Sequence, residues 1–420
     1  MPTRQMLRLG CGFLSAGLLL LPLGLIPLSI GFQPAYYERV EKRNPTAFPS
    51  LSSPSALGDR QAVRDAYYAI KDRFPFKGTL VEAIRILDIY VFGQHRFRTA
   101  DLGKAHWTYY RESYWQPSIN YTSNVQATLA TLEQFLANHR AARRRNGLAE
   151  VRLVIAPDKH TIYPEYLSAQ GAADRAVTRS ARAIVHTWFA QNRADPRIID
   201  MWSILQRHKS EGEYLFIPND THHSPRGAMV MAKAIVDSID PSAWYREDIV
   251  AGEITPYTDI AFNMGLFQHQ LHEQTQFTFY SGVAARSPQA VIDAGGRTFA
   301  SEAAAIEALC TSQSLPESCL QTYLTRYRHS PTGAKLIAGK TLVIHDSFMD
   351  VFTKDILRPL FSDISFLHHN QATADALSTY LGEYDYVIIQ SVERLAFGMP
   401  QASDNSINKL LGASVSTASE

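Results

Sequence analysis

Two short stretches hold the residue types from which nucleophilic catalysis is built. In "PNDTHHSPRGA", Pro218 to Ala228, Asp220, His222 and His223 stand almost side by side, and in "TLVIHDSFMD", Thr341 to Asp350, an apolar run ends in His345, Asp346 and Ser347. A carboxylate beside one imidazole nitrogen fixes the ring tautomer. It also favours the imidazolium that forms when the other nitrogen takes a proton from a serine. In an extended segment residues two apart share a face, so Asp220 and His222 can act together while His223 points elsewhere. Asp220, His222 and Ser347 are therefore read as candidate triad members. Other readings stay open at this point: a surface turn at "DTHH", an Asp-Ser cap of the helix after Ser347, or a metal site using Asp220, His222, His345 and Asp346. The metal reading is the weaker one, because the spacing matches no helix-borne HExxH pair and leaves Ser347 without a role.

Those residues need a scaffold that brings two distant stretches together. Val125, Leu129, Leu132 and Leu136 recur at helical spacing within residues 122–145, and Gly147 gives a stop signal. "VRLVIAP" (Val151–Pro157) reads as a strand, residues 175–193 as a helix, and "EYLFIP" as a second strand ending at the Asp220 stretch. Ser224 and Pro225 then suit the cap and first position of a helix over "PRGAMVMAKAIVDSI". The rhythm breaks over residues 242–338, read as an insertion or cap. It resumes with strand-like "GKTLVIHDS", helical "DVFTKDIL", strand-like "DISFLHH", helical "ATADALSTYL" and strand-like "YDYVIIQSVER". Strands alternating with helices predict an α/β fold with a mostly parallel sheet flanked by helices. In such sheets active sites lie beyond the carboxyl ends of the strands, where Ser347 would stand.

Composition narrows the function. A formal net charge of +1, with 41 basic and 40 acidic residues in 420, offers no basic stripe for nucleic acid. Without a P-loop or GxGxxG fingerprint, no nucleotide cofactor is expected. Leu9 to Gly31 is an uncharged run of 23 residues preceded by Arg4 and Arg8. That length can span a bilayer, and the flanking arginines favour a cytoplasmic N-terminus. An N-terminal transmembrane helix within residues 1–35 is thus expected, in preference to a cleaved signal peptide, with the rest of the chain exported. Cys310 and Cys319 then read as a local disulfide, contributing about 2 kcal/mol. Residues 36–120 are expected to form an extended segment packing on a catalytic domain over 121–400, and residues 401–420 a disordered tail.

The order "DTHH" then "HDSF" resembles the SGNH-hydrolase-like domain of bacterial alginate O-acetylation proteins, the AlgX and AlgJ type. "GKAHWTYY" (Gly103–Tyr110) is similar to that family's GK-x-x-W segment, "APDKHTIYPEYL" (Ala156–Leu167) to its P-x-K-x-x-x-Y-P-E stretch, and "YDYVIIQSVER" (Tyr384–Arg394) to its closing strand. The resemblance runs from about residue 40 to 397. Two residues depart from it: His223 stands where the family often has tryptophan, and His345 where the wider SGNH family has glycine.

The resemblance implies an SGNH-hydrolase-like fold and an O-acetyltransferase with Ser347 as nucleophile, His222 as general base and Asp220 as its orienting partner. The Ser347 amide would be one oxyanion donor. Arg394 is a candidate second donor or contact to acidic sugar, or else half of a structural ion pair with Glu393 or another carboxylate. Lys159 and Tyr163 are candidate substrate contacts, or else a buried-stem lysine and a packed tyrosine. The implied partners are a membrane-bound O-acyltransferase as acetyl donor and a polysaccharide acceptor, with no cofactor and no metal. The implied location is the inner membrane, with the catalytic domain in the periplasm. An esterase with the same triad and a non-catalytic scaffold are the competing readings.

Overall fold

The computed structural model describes residues 32–41, 44–49, 59–114, 120–211, 213–244, 249–254, 277–282, 291–310, 320–329, 336–398 and 410–411. The chain divides into two compact units, Met1–Phe97 with Ala261–Leu271, and Arg98–Ile260 with His272–Glu420. Residues 1–31, and with them the expected transmembrane helix, lie outside the described residues. Among the described residues, no helix is long and apolar enough to cross a membrane.

The first unit holds helices α1 (Arg60–Asp72) and α2 (Lys77–Tyr90). Asp59 caps α1 by accepting from the Gln61 amide. The extended segment expected over 36–120 is therefore corrected. Its middle is helical because "RQAVRDAYYAIKD" and "LVEAIRILDIY" carry good helix formers without an internal proline. Its last part, from Arg98, belongs to the second unit.

In the second unit, β1 (Ala100–Leu102) and β2 (Thr108–Tyr110) form an antiparallel ribbon, and β5 (Ile249–Ile254) and β6 (Phe277–Gly282) form another. The main sheet contains β3 (Glu150–Ala156), β4 (Ile198–Ile199), β7 (Val291–Ala294), β8 (Arg297–Phe299), β9 (Thr325–Arg328), β10 (Ile337–His345), β11 (Phe361–His368) and β12 (Tyr386–Val392). Their order is β4-β3-β12-β10-β11-β9-β7-β8. The first five are parallel, and β9, β7 and β8 continue the sheet through antiparallel pairings. Part of the segment read as an insertion over 242–338 is thus sheet. Arg326 and Asp363 form an ion pair across β9 and β11 that helps hold this edge.

Side chains of the parallel strands alternate between two cores. Val154, Val343, Ile364, Phe366 and Ile388 face one, while Leu153, Ile155, Leu342, Ile344, Val387 and Ile389 face the other. The second core is closed by α3 (Tyr121–Asn146), through Val125, Leu129, Leu132 and Leu136. Asn120 caps α3, and Gly147 ends it in the left-handed conformation at φ 65°. Leu410 and Leu411 are also buried in this core, so the tail expected to be disordered contributes two apolar side chains to it.

Residues 175–193, expected as one helix, form parts of two: α4 (Ala169–Val177) and α5 (Arg179–Gln191), broken at Thr178. After β4 come α6 (Met201–His208) and α7 (Pro225–Asp237). Ser224 caps α7 by accepting from the Gly227 amide, as the sequence predicts. Later helices are α8 (Glu302–Leu309) and α9 (Ala374–Glu383).

Two elements differ next to the site. "EYLFIP" is not a sheet strand; only an isolated bridge joins Phe216 to His223. Its backbone is used locally: the amides of Ile217 and Ser224 donate to the carbonyls of His222 and Leu215. "DVFTKDIL" is a broken helix. Val351 and Phe352 leave helical geometry, Phe352 at φ 67°, before a short turn over Lys354–Leu357.

Candidate active site

The carboxyl ends of β3, β10 and β12 lie side by side in parallel register. Asp158, Ser347 and Glu393 follow them at one edge of the sheet, where open α/β folds place their ligands.

Ser347 comes two residues after β10. Asp346 fastens this turn: its Oδ1 accepts from the Phe348 amide at 2.9 Å and the Gln390 side-chain amide at 3.0 Å. Its Oδ2 accepts from the Val392 amide at 2.6 Å, and its own amide donates to Gln390 Oε1 at 3.1 Å. Asp346 thus ties the turn to β12. Sequence reading missed Gln390, although an amide inside the apolar run "YVIIQSV" was a visible signal.

The loop between α6 and α7 supplies the other two triad candidates. Asp220 is fully buried, and its Oδ1 accepts from both the His222 backbone amide at 2.7 Å and His222 Nδ1 at 2.6 Å. Nδ1 therefore carries the proton, leaving the Nε2 lone pair to face outward. His222 Nε2 lies 3.0 Å from Ser347 Oγ, positioned to accept its proton. The fold brings Asp220 and His222 to Ser347, which lies 125 positions beyond His222 in sequence. It does so from one strand end and one loop, not from two strand ends.

Lys159 and Tyr163 brace that loop. The Lys159 ammonium donates to the carbonyls of Ile217 at 3.1 Å, Pro218 at 2.8 Å and Asp220 at 2.6 Å. Burial pulls the Lys159 pKa down to about 7, with Asp220 opposing. Tyr163 Oη accepts from the Leu215 amide at 3.0 Å, and the Tyr163 carbonyl accepts from Tyr109 Oη at 2.6 Å. Neither side chain is placed as a substrate contact; the buried-stem lysine and packed tyrosine are what the structure contains.

The "GKAHW" segment meets the same loop. The Thr108 amide donates to the Pro218 carbonyl at 2.9 Å, and Trp107 stacks on Tyr166 at 4.3 Å between ring centres. Gly103 permits this approach, because a Cβ there would come within 2.1 Å of the Tyr166 carbonyl oxygen. Gly227 does the same for α7, where a Cβ would meet the Leu215 carbonyl oxygen at 2.0 Å.

Phe348 closes the back of the site, with ring centres 5.3 Å from His222 and 5.0 Å from His223. His223 is fully buried against Phe348 and Phe216, and neither ring nitrogen has a hydrogen-bond partner. Burial lowers its pKa to about 3, so its ring is neutral. His345 is likewise buried, with its pKa lowered to about 4 by desolvation, and its Nδ1 donates to the Asp346 carbonyl at 3.0 Å.

Arg394 lies in the short helix after β12 (Glu393–Phe397), not on the strand itself. It forms an ion pair with Asp158, and its guanidinium lies 5.2 Å from the centre of the Phe348 ring. Glu393 Oε2 accepts from the Asp158 amide at 3.0 Å and the Thr161 hydroxyl at 2.8 Å. Burial raises both carboxyl pKa values, and Glu393 reaches about 7. Arg394 works against the rise at Asp158, while at Glu393 the neighbouring Asp158 charge adds to the effect of burial.

Among the described residues, one group of acidic and histidine side chains converges closely enough for a metal: Asp158, His160 and Glu393. Asp158 is already engaged by Arg394, and His160 Nε2 donates to the Ser113 carbonyl at 3.1 Å. The set weighed from sequence, Asp220, His222, His345 and Asp346, does not converge. Cys310 is disulfide-bonded, and Cys319 lies outside the described residues.

The family model for the SGNH hydrolase-like domain, acetyltransferase AlgX, matches residues 101–331. That span includes Asp220 and His222 and ends before Ser347. A probable alginate O-acetylase AlgJ from Pseudomonas fluorescens is 29% identical over 172 residues, and one from Pseudomonas putida is 26% identical over 193. The first match covers 40% of this chain and 40% of that protein, the second 44% and 46%. The chain thus spans less than half the length of these curated relatives. Among solved structures, the O-acetyltransferase domain of Pseudomonas putida AlgJ is similar with a TM-score of 0.45 and 16% identity, covering 76% of this chain and 99% of that one. The family match extends over more than half of the 420 residues, and the chain belongs to the AlgX-type family of SGNH hydrolase-like acetyltransferase domains.

Proposed function

We propose that this protein is an O-acetyltransferase that takes an acetyl group on Ser347 and passes it to an exopolysaccharide hydroxyl, directly or through a relay partner. The observation that carries this reading is the relay from Asp220 Oδ1 to His222 Nδ1 at 2.6 Å and from His222 Nε2 to Ser347 Oγ at 3.0 Å. The family membership and the alginate O-acetylase relatives support the choice of acetyl as the group moved.

In the first half-reaction Ser347 Oγ attacks the carbonyl carbon of an acetyl ester while its proton moves to His222 Nε2. The carbonyl electrons go to an oxyanion held by the Ser347 amide, and Asp220 stabilises the imidazolium. Collapse breaks the ester bond, and the leaving alcohol takes the proton from His222. In the second half-reaction a sugar hydroxyl gives its proton to His222 and attacks the acetyl-serine; the Oγ–acyl bond then breaks and Oγ takes the proton back from His222, restoring Ser347. No cofactor is needed. Arg394, paired to Asp158 beside Phe348, orients the edge of the site and is a candidate contact for acidic sugar.

The donor in this reading is a membrane-bound O-acyltransferase that passes acetyl across the bilayer. Leu9–Gly31 would anchor the chain in the inner membrane with its catalytic unit in the periplasm. A chromogenic acetyl ester offered with and without oligosaccharide acceptors tests the transferase. Acceptor-dependent turnover and acetylated sugar are expected. Fast hydrolysis unaffected by any acceptor would make the protein an esterase.

A further inference from the structure

Each helix of the first unit turns an apolar stripe to the outside. On α2 and just beyond it, Leu80, Ile84, Leu87 and Val91 follow the i, i+4, i+7, i+11 spacing of a single helix face, and all four are exposed. On α1 and just beyond it, Val63, Tyr67, Ile70 and Phe74 repeat that spacing, also exposed. Exposure runs from 39% at Phe74 to 65% at Val91. The buried positions of these helices are Ala69, Asp72, Gly78, Glu82 and Ile89, so only one large apolar side chain points inward. Water-facing helices carry the opposite pattern, and an exposed apolar stripe of this length on each helix marks an interaction surface.

The chain itself indicates the cover. The uncharged run Leu9–Gly31 leads directly into Phe32, and the residues that follow are fastened to the junction of α1 and α2. Gln33 exchanges two hydrogen bonds with Thr79, at 2.8 and 3.2 Å. Lys77 pairs with Glu41 at 2.5 Å and lies 4.7 Å from the centre of the Tyr37 ring. Tyr37 Oη donates to the Asp72 carbonyl. Whatever medium takes up Leu9–Gly31 therefore lies next to this junction. Tyr67, Tyr68 and Tyr90 are exposed on the same helices, and tyrosine is the residue type enriched at membrane interfaces.

We propose that α1 and α2 lie in the surface of the phospholipid bilayer entered by Leu9–Gly31, with their apolar stripes among the acyl chains. The proposal rests on reading Leu9–Gly31 as a membrane segment. It adds a second lipid contact that holds the first unit flat on the membrane.

The test uses the full-length chain in nanodiscs of phosphatidylethanolamine and phosphatidylglycerol, with Cys11→Ser to remove the native thiol of the run. An environment-sensitive fluorophore is placed at Ile84→Cys, Leu87→Cys or Val91→Cys, at the flanking Arg85→Cys or Asp88→Cys, and at Leu20→Cys to report on the run itself. Nitroxide-labelled lipids should quench Leu20→Cys, and should quench the stripe positions several-fold more than the flanking ones, with helical period. Quenching at Leu20→Cys with no excess along the stripe would overturn the proposal and leave the anchor intact. Loss of quenching at both would remove the anchor and the proposal together. An unquenched stripe with cross-linking through Ile84→Cys would assign the surface to a second copy of the chain instead.

Discussion

At the residue scale, His223 and His222 are neighbours with opposite designs. His222 is given a carboxylate on one side and a hydroxyl on the other, whereas His223 is sealed among phenylalanines with no partner for either nitrogen. Its folded pKa of about 3 lies below the ordinary 6.5. Between those values the unfolded chain binds a proton that the folded one does not, so stability falls as pH drops through that window. His223→Phe should remove the unsatisfied nitrogens, stabilise the protein by about 1–3 kcal/mol and flatten this slope. Urea midpoints from pH 4 to 7 would check it, and an unchanged slope would contradict it. Sequence marked Asp220, His222 and Ser347 because carboxylate, imidazole and hydroxyl chemistry is visible in residue types. The burial of His223 was not visible, since alternation along an extended segment said only that it pointed away from its neighbour.

At the element scale, the loop between α6 and α7 keeps its shape through Lys159. Three carbonyls converge on one ammonium, so shortening or neutralising that side chain should release Asp220 and His222 together. Lys159→Met is expected to lower kcat about 100-fold, the scale of an ångström-sized misplacement. It should also change the pH profile of kcat/KM, while circular dichroism stays native. An altered KM with unchanged kcat would instead make Lys159 a substrate contact. The junction after β3 and β12 yields a second prediction. Glu393 is raised to about 7, so between about 4.5 and 7 the folded protein holds a proton that the unfolded chain has lost, and stability falls as pH rises through that window. Glu393→Gln should remove this loss, bringing the stabilities at pH 5 and pH 8 closer together. Strand β3 and helices α3 and α7 were legible from periodicity and caps. "EYLFIP" was not, because a short apolar run reads alike as a strand or as a buried loop held by distant groups such as Lys159 and Tyr163.

At the scale of the whole molecule, the parallel half of the sheet was legible from alternating strands and helices, while its extension through β9, β7 and β8 was not. β7 and β8 form a local hairpin through Gly295 and Gly296, but β9 pairs antiparallel with β11 and β7 far along the chain, information that no local pattern contains. In the sequence the motifs "GKAHW" and "PDKHTIYPEYL" stood out only as resemblances to a family. In the folded chain both support the loop that carries His222. Acetyl transfer through Ser347 would pass through an acetyl-serine, which is open to direct observation. The full-length protein is mixed briefly with a chromogenic acetyl ester and quenched in acid, and its intact mass and peptide map are recorded. A single acetyl adduct on Ser347 is predicted, lost in Ser347→Ala and reduced about 10⁴-fold in rate in His222→Ala. An adduct on another residue, or turnover that survives Ser347→Ala, would contradict the account.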